Sequence, residues 1–329
     1  MGMNLKRVQS LYGIKSFEDA ASYAKKSFKD SGGIILARNL EHVSAEIFTQ
    51  EYAGLTFLNQ GITVNNEGGY ATSIRKLKLA VEGGFRESGT NTGTNGKITL
   101  SGESDSIPVF TMEAESDWSE VELKQAELEN INLPSRFFEG HAELYNRKID
   151  DLGYFGQTRT DGTQKSVGLL NYGWDNAAAA AVASALTGQE LYDEIAGLIT
   201  AQWAQVLNVE TYMADHVVMP SRVYNTASTV IINSAGSEMT VLAALRANFP
   251  TVTFGMTTKA DTVANGGLLA ASKTVAFSSN RRAMQMRIPV PLNISSVDQR
   301  GFKYYVESYF GVAGLDVIEA DSARTLTGL

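Results

Sequence analysis

The stretch that decides the fold runs from Tyr70 to Trp118, YATSIRKLKLAVEGGFRESGTNTGTNGKITLSGESDSIPVFTMEAESDW. On its outward limb Leu77, Leu79 and Val81 alternate with Lys76, Lys78 and Ala80. After the soft stretch SGTNTGTNGKITLSG, Phe110, Met112 and Ala114 alternate with Val109, Thr111, Glu113 and Glu115 on the return. Alternation of this kind is the signature of extended strands. The reading is a long two-stranded ribbon that encloses no core. Such a ribbon is marginal alone in water, because its apolar face covers nothing and its ordering entropy goes uncompensated. The simplest cover is a second copy of the same chain.

Around this ribbon the chain has ample material for a core: 329 residues, 43% hydrophobic, a length that suits about two domains. Thirty glycines against six prolines point to many turns, and the absence of cysteine removes disulfides, thiolate metal sites and thiol nucleophiles. No run resembles a signal peptide or reaches the ~18 to 20 apolar residues of a membrane span, so a soluble, cytosolically made protein with no membrane partner is expected.

The net charge of −8 is unevenly spread. Residues 1–33 carry six bases (Lys6, Arg7, Lys15, Lys25, Lys26, Lys29) against three acids, whereas 103–130 carry nine acids against Lys124 alone. A basic leading arm and an acidic limb can attract one another within or between subunits, although each exposed pair is worth only ~0 to 1 kcal/mol. The arm opens on a short amphipathic helix from Ser16, with Phe17, Ala21, Ala24 and Phe28 on one face and Ser31, Gly32 and Gly33 ending it.

Beyond the ribbon, Ser119 to Ile131 reads as helix. Phe138, Ala142, Tyr145, Ile149 and Leu152 then form a stripe at helical spacing, predicting a helix from Pro134 to Phe155 with proline in its favoured first turn. At 1.5 Å per residue that helix is roughly 33 Å long, enough for the spine of a domain. A loop follows, Gly156 to Asn176, and then an alanine-rich helix to Leu186. Thr187 and Glu190 form a capping box ahead of Leu191, Ile195, Leu198 and Ile199. A strand at His216 to Met219, an apolar run at Val230 to Ile232 and a helix from Ser237 stopped by Pro250 complete an α/β layer. From Lys273 onward the pattern returns to strands, TVAF, MQMRIPVPL and KYYVESYFGVAGLDVIEA, which need a surface such as the Pro134 helix to lie on.

No catalytic constellation emerges. His42, His141 and His216 lie far apart, and neither His42 nor His141 stands in an HExxH frame. Around Gly93 to Ile98 a phosphate-binding loop fails twice, with Asn91 where the first glycine belongs and Ile98 after Lys97. Ser234 follows Asn233, so no GxSxG elbow exists. Asp150 and Asp151 read as solvated helix-end acids. No cofactor or metal is expected. A chain of pI ≈ 5.1 also lacks the basic stripe that phosphate neutralisation requires.

Three segments carry a family resemblance: WSEVELKQAELENINLPSRFFEGHAELYNRKIDDLGYFGQ closing on SVGLLN at Ser166 to Asn171; HVVMPSRVYN at His216 to Asn225 with SEMTVLAALRANFPTVTF ending at Phe254; and MRIPVPLNISSVDQRGFKYYVESYFGVAGLDVIEADS, Met286 to Ser322. Their order over about three quarters of the chain resembles the major capsid proteins of tailed phages, the Hong Kong 97-like fold, in the branch near the encapsulins. The resemblance implies an α+β fold with an N-arm at 1–33, a peripheral-domain segment at 34–60 and an E-loop at 61–118. It implies a peripheral domain with spine helix at 119–170, an axial domain at 171–272 and peripheral strands at 273–329. It also implies a structural role: pentamers and hexamers of this chain in an icosahedral head, made in the host bacterial cytoplasm and enclosing double-stranded DNA without sequence-specific binding. Scaffolding, portal and decoration proteins are the further partners such a head admits. Some members cross-link an E-loop lysine to a neighbour's asparagine; Lys97 lies near the tip, but no partner asparagine matches and that chemistry is not carried over. The candidate assembly contacts are Lys76 and Lys78 against Glu113 and Glu115, across the hairpin or on an adjacent subunit. Two alternatives stay open from sequence: an encapsulin-type cellular compartment, and a carboxylate-dependent enzyme housed at 176–275.

Overall fold

The computed structural model describes residues 55–85, 97–128, 131–158, 164–232 and 239–329. The arm with the helix expected from Ser16, the ribbon tip and the start of the helix expected at Ser237 lie outside them. In chain order the first half supplies β1 (Val64–Asn65), β2 (Ser73–Gly83), β3 (Ile98–Pro108), β4 (Phe110–Ser119), α1 (Glu120–Leu128) and α2 (Leu133–Phe155). Then come β5 (Gln157–Thr158), β6 (Gln164–Ser166), β7 (Asp175–Ala178), α3 (Gly188–Gln205), β8 (His216–Pro220), α4 (Ser221–Thr229), α5 (Val241–Asn248) and β9 (Thr253–Thr257). The chain closes with β10 (Lys273–Phe277), β11 (Met284–Arg287), β12 (Val290–Ile294), β13 (Asp298–Arg300), β14 (Lys303–Val312), β15 (Gly314–Val317) and β16 (Ala323–Thr327).

A five-stranded mixed sheet, in the order β7-β16-β10-β8-β9, sits at the centre. Side chains of successive strand residues point to opposite faces, and the sheet feeds a separate core with each. Val217 and Met219 of β8, Ala276 of β10 and Leu326 of β16 join one cluster with Leu191, Ile195 and Leu198 of α3, Val223 of α4 and Leu245 of α5. Val218, Val275, Phe277 and Ala323 join the other, with Phe57, Ile149 and Leu152 of α2, Met284, Met286, Val312 and Leu315. Burial on both faces explains why β8 and β10 read as continuous apolar runs and not as alternation.

The spine helix forms as its stripe predicts. Asn132 caps it by accepting from the Ser135 backbone N–H at 3.3 Å. Gly156 ends it at φ +67°, where a Cβ would also run into the Ser166 carbonyl. Its inner face carries the returning strands: the Tyr145 ring meets Phe310 of β14 edge to face at 4.9 Å. The capping box of α3 is also present, Thr187 Oγ1 accepting from the Glu190 N–H at 3.3 Å and Glu190 Oε2 from the Thr187 N–H at 2.8 Å.

Several expectations fail for physical reasons. The alanine-rich helix from Asn176 to Leu186 does not form. Asp175–Ala178 instead pairs in parallel with Arg324–Thr327, and Thr325 Oγ1 donates to the Asp175 carbonyl at 3.3 Å. Helix propensity is a weak prior, and a waiting strand edge overrides it. Pro220 ends β8 and stands at the N-cap of α4, which starts at Ser221. β10 pairs with both β8 and β16 in the central sheet. Asp150 is buried, not solvated. Its Oδ1 accepts from the Thr56 and Phe57 N–H groups at 2.9 and 2.7 Å, and Lys259 Nζ stands 2.5 Å from a carboxylate oxygen of Asp150 and of Asp151. The pair braces the segment before β1 against the spine.

Candidate assembly interface

β2 and β3 pair antiparallel over eleven residues each, from Ser73↔Pro108 at the root to Gly83↔Ile98. The return limb is therefore Ile98–Pro108, and Phe110–Ser119 is a separate strand that leaves the ribbon after Val109. It pairs with β14 of the body, Phe110↔Val312 through Ser119↔Lys303. The register sorts the ribbon into two faces. Leu77, Leu79, Val81, Leu100 and Ile98 fall on one, each between 58% and 72% exposed. Lys76, Lys78, Asp105 and Glu103 fall on the other, with Lys76 opposite Asp105 and Lys78 opposite Glu103.

The charged face turns to the body at the root. Lys76 Nζ donates to Asp316 Oδ1 at 2.9 Å and to the Val317 carbonyl at 2.7 Å, and lies 3.5 Å from Asp105. Lys78 Nζ donates to Glu319 Oε2 at 2.7 Å, a hydrogen bond that holds its ammonium above the ordinary lysine range. Asp316 is fully buried at its side chain and also accepts from Arg287 Nε at 2.7 Å. Beside this root an open groove of about 290 Å³ separates Lys76 and Ile107 from Val167 and Leu315. The ribbon is thus tied to the body by charge at one end and covered along its apolar face by nothing in the same chain, among the described residues.

Neither acid expected opposite the lysines is there. Glu113 stands against Tyr309, and Glu115 against Glu307, both on β14. Since β4 is not part of the hairpin, pairing across it is excluded; the acids that do meet the lysines are Asp105, Asp316 and Glu319. A signal for Asp316 and Arg287 exists in the sequence: each is a lone charge in an apolar strand, GLDVI and MQMRIPV, and a buried charge needs a partner. His141 is equally specific in place. Its Nε2 lies 2.9 Å from Ser116 Oγ on β4 and its Nδ1 2.8 Å from Ser308 Oγ on β14, and burial pushes its pKa down. It pins the spine to the sheet rather than to any reacting group.

The central two-faced sheet, the spine under returning strands and the projecting ribbon define a class: shell-forming subunits of the Hong Kong 97-like capsid fold. The comparisons with known proteins carry this further. A sequence model described as Major capsid protein matches residues 89–329, and the chain belongs to that family. "The capsid of Myoviridae Phage XM1" is 74% identical, with a TM-score of 0.80, over 91% of this chain and 100% of that one. "Capsid of native GTA particle computed with C5 symmetry" shares the fold at 14% identity, with a TM-score of 0.63 over 91% of this chain and 99% of that one. "Capsid structure of the Cyanophage P-SCSP1u" does so at 11% and 0.57, over 91% and 95%. No curated protein matches the chain. The chain is a tailed-phage major capsid protein, a structural component of the virion capsid, and the cellular-compartment alternative gives way to it.

Proposed function

We infer that the ribbon is the chief device of assembly, its apolar face laid over an adjacent copy of this chain in the head shell. The observation that carries the reading is the sorting of the ribbon: charges toward its own body, five large apolar side chains away from it. Burying one such side chain is worth roughly 1.5 to 3 kcal/mol, so even partial cover of five supplies several kcal/mol per contact. In the shell, heterologous contacts close residues 171–272 into five- and six-fold rings, and the ribbon ties each ring to the next. Glu113 and Glu115 stay exposed on the outer face of β4, available to lysines of a neighbouring subunit. Assembly takes place in the host cytoplasm with scaffolding and portal proteins, and the finished head encloses double-stranded DNA. It does so without sequence-specific contact, in keeping with the net charge of −8.

The test is the Leu79→Asp/Val81→Asp chain. It should keep the parent melting temperature while closed particles disappear from negative-stain fields. Particles at parental yield would show that the face is not buried in the shell.

A further inference from the structure

Asp150 and Asp151 are neighbours on α2, yet they meet Lys259 in different ways. Asp151 Oδ1 accepts a hydrogen bond from Lys259 Nζ at 2.5 Å. Asp150 Oδ2 is equally near, at 2.5 Å, but that oxygen is buried and has no hydrogen-bond partner, so the amine stands off the angles such a bond requires. The other oxygen of Asp150, Oδ1, is held by two backbone N–H groups, Thr56 at 2.9 Å and Phe57 at 2.7 Å. Two N–H donors at this range make the kind of hole that stabilises an oxyanion. Asp150 is 2% exposed, in a region that also buries Phe57 and Tyr154 completely, and the Tyr154 ring centre lies 5.8 Å from Nζ. Asp151 is half exposed and opens the site to water on its own side. A nucleophilic amine, a carboxyl carbon with its oxyanion hole, and a second carboxylate on the amine are thus assembled at one point.

We propose that Lys259 and Asp150 condense into an amide, which ties the spine to the turn after the edge strand β9. Asp151 takes a proton from the Lys259 ammonium and hands it to Asp150 Oδ2, leaving a neutral amine beside a neutral carboxyl. Nζ attacks Cγ, and the negative charge that moves onto Oδ1 is received by the Thr56 and Phe57 N–H groups. A second proton passes from Nζ through Asp151 to the Oδ2 hydroxyl, which departs as water while the Cγ–Oδ1 double bond re-forms. One ammonium and one carboxylate become one amide and one water, with no change in net charge and no further reactant. The chain does this once, upon itself, so the step is a modification and not turnover. Like any long cross-link, the bond restrains the unfolded chain between its two ends. Its use as a brace in the head rests on the shell reading; the bond itself is a property of the single chain.

Intact-mass spectrometry of the purified full chain, unassembled and incubated until its mass is constant, tests the proposal. The parent should fall short of its calculated mass by one water. Its tryptic digest should contain the peptides bearing Asp150 and Lys259 joined through those side chains, with cleavage after Lys259 lost. Lys259→Arg keeps the positive charge without a nucleophilic amine and should retain its full calculated mass. Asp151→Asn, which removes the base, should lose water about a hundredfold more slowly than the parent. A parent at its full calculated mass overturns the proposal, and so does loss of the same water from Lys259→Arg. Loss at the parental rate in Asp151→Asn overturns the proton route through Asp151. Since no shell is present in the measurement, its failure leaves the assembly reading standing.

Discussion

The five-stranded sheet and the ribbon are built from the same chemistry and end in opposite conditions. Val217, Val218, Val275 and Phe277 lie at 0% exposure, because each face of the sheet meets helices or strands of its own chain. Leu77, Leu79 and Val81 are 66%, 63% and 72% exposed. A strand's stability therefore lies less in its residues than in what is stacked on them, and here one region is covered by its own chain while the other, among the described residues, is not. The sharpest way to break this contrast is to truncate one apolar side chain in each region. Phe277→Ala should cost about 3 to 5 kcal/mol of chain stability, since it opens a cavity between the sheet and the spine. Leu79→Ala should leave the thermal unfolding of the unassembled chain nearly unchanged and reduce only the yield of particles. Comparable losses in the unfolding of both variants would mean that the ribbon is covered within its own chain.

A smaller effect probes how closely the spine seats on the body. Gly153 of α2 faces the Phe57 ring so tightly that a Cβ there would overlap it. Phe57 is itself clamped by the Asp150 hydrogen bond and by the edge of Tyr154 at 5.3 Å. Gly153→Ala should destabilise by about 1 to 3 kcal/mol through overpacking, against the slight gain expected for Gly→Ala in an open helix. Chemical denaturation of the two variants Gly153→Ala and Gly140→Ala separates the cases, since Gly140 has nothing within reach of an added Cβ.

These contrasts also explain what could be read from the chain before its structure. Hydrophobic periodicity records burial against the rest of the same chain. The spine was legible because Ile149 and Leu152 meet the returning strands, and β4 alternates cleanly because its inner residues lie on the body while Glu113 and Glu115 face water. The limb Ile98–Pro108, ITLSGESDSIP, is exposed along nearly its whole length and so carries little periodicity. The eye passes over it to the stronger pattern of Phe110, and the pairing of the candidate lysines with Glu113 and Glu115 followed from that displacement. The segment Asp175–Ala178 was hidden for another reason: only its partner, some 150 residues away, makes it a strand.

His141 sits between Ser116 and Ser308, and burial pushes its pKa below the ordinary histidine range. The folded chain therefore binds this proton less readily than the unfolded one. Stability is complete above the unfolded value of about 6.5 and falls as the pH drops below it, until the lowered folded value is reached. The slope of unfolding free energy against pH on the acid side of 6.5 should flatten in His141→Gln, which keeps hydrogen-bonding groups without a titrating ring. An unaltered slope would assign the acid sensitivity to the carboxylates instead.

The smallest effect lies on the acid-rich outer face of β4. Glu115 stands directly opposite Glu307 of β14, a like-charge pair in register, and Glu307 has Arg300 only at 3.9 Å. Opposed like charges on neighbouring strands are unfavourable, and opposite ones favourable, by roughly 0.2 to 1 kcal/mol. Glu115→Lys should therefore stabilise the unassembled chain by up to about 1 kcal/mol, with the gain shrinking in high salt. If the acid is kept for a neighbouring subunit's lysine, the same change should lower particle yield while it raises the melting temperature. A variant that gains stability and assembles as the parent does would free Glu115 from any part in the shell, leaving the ribbon's apolar face to hold the subunits together.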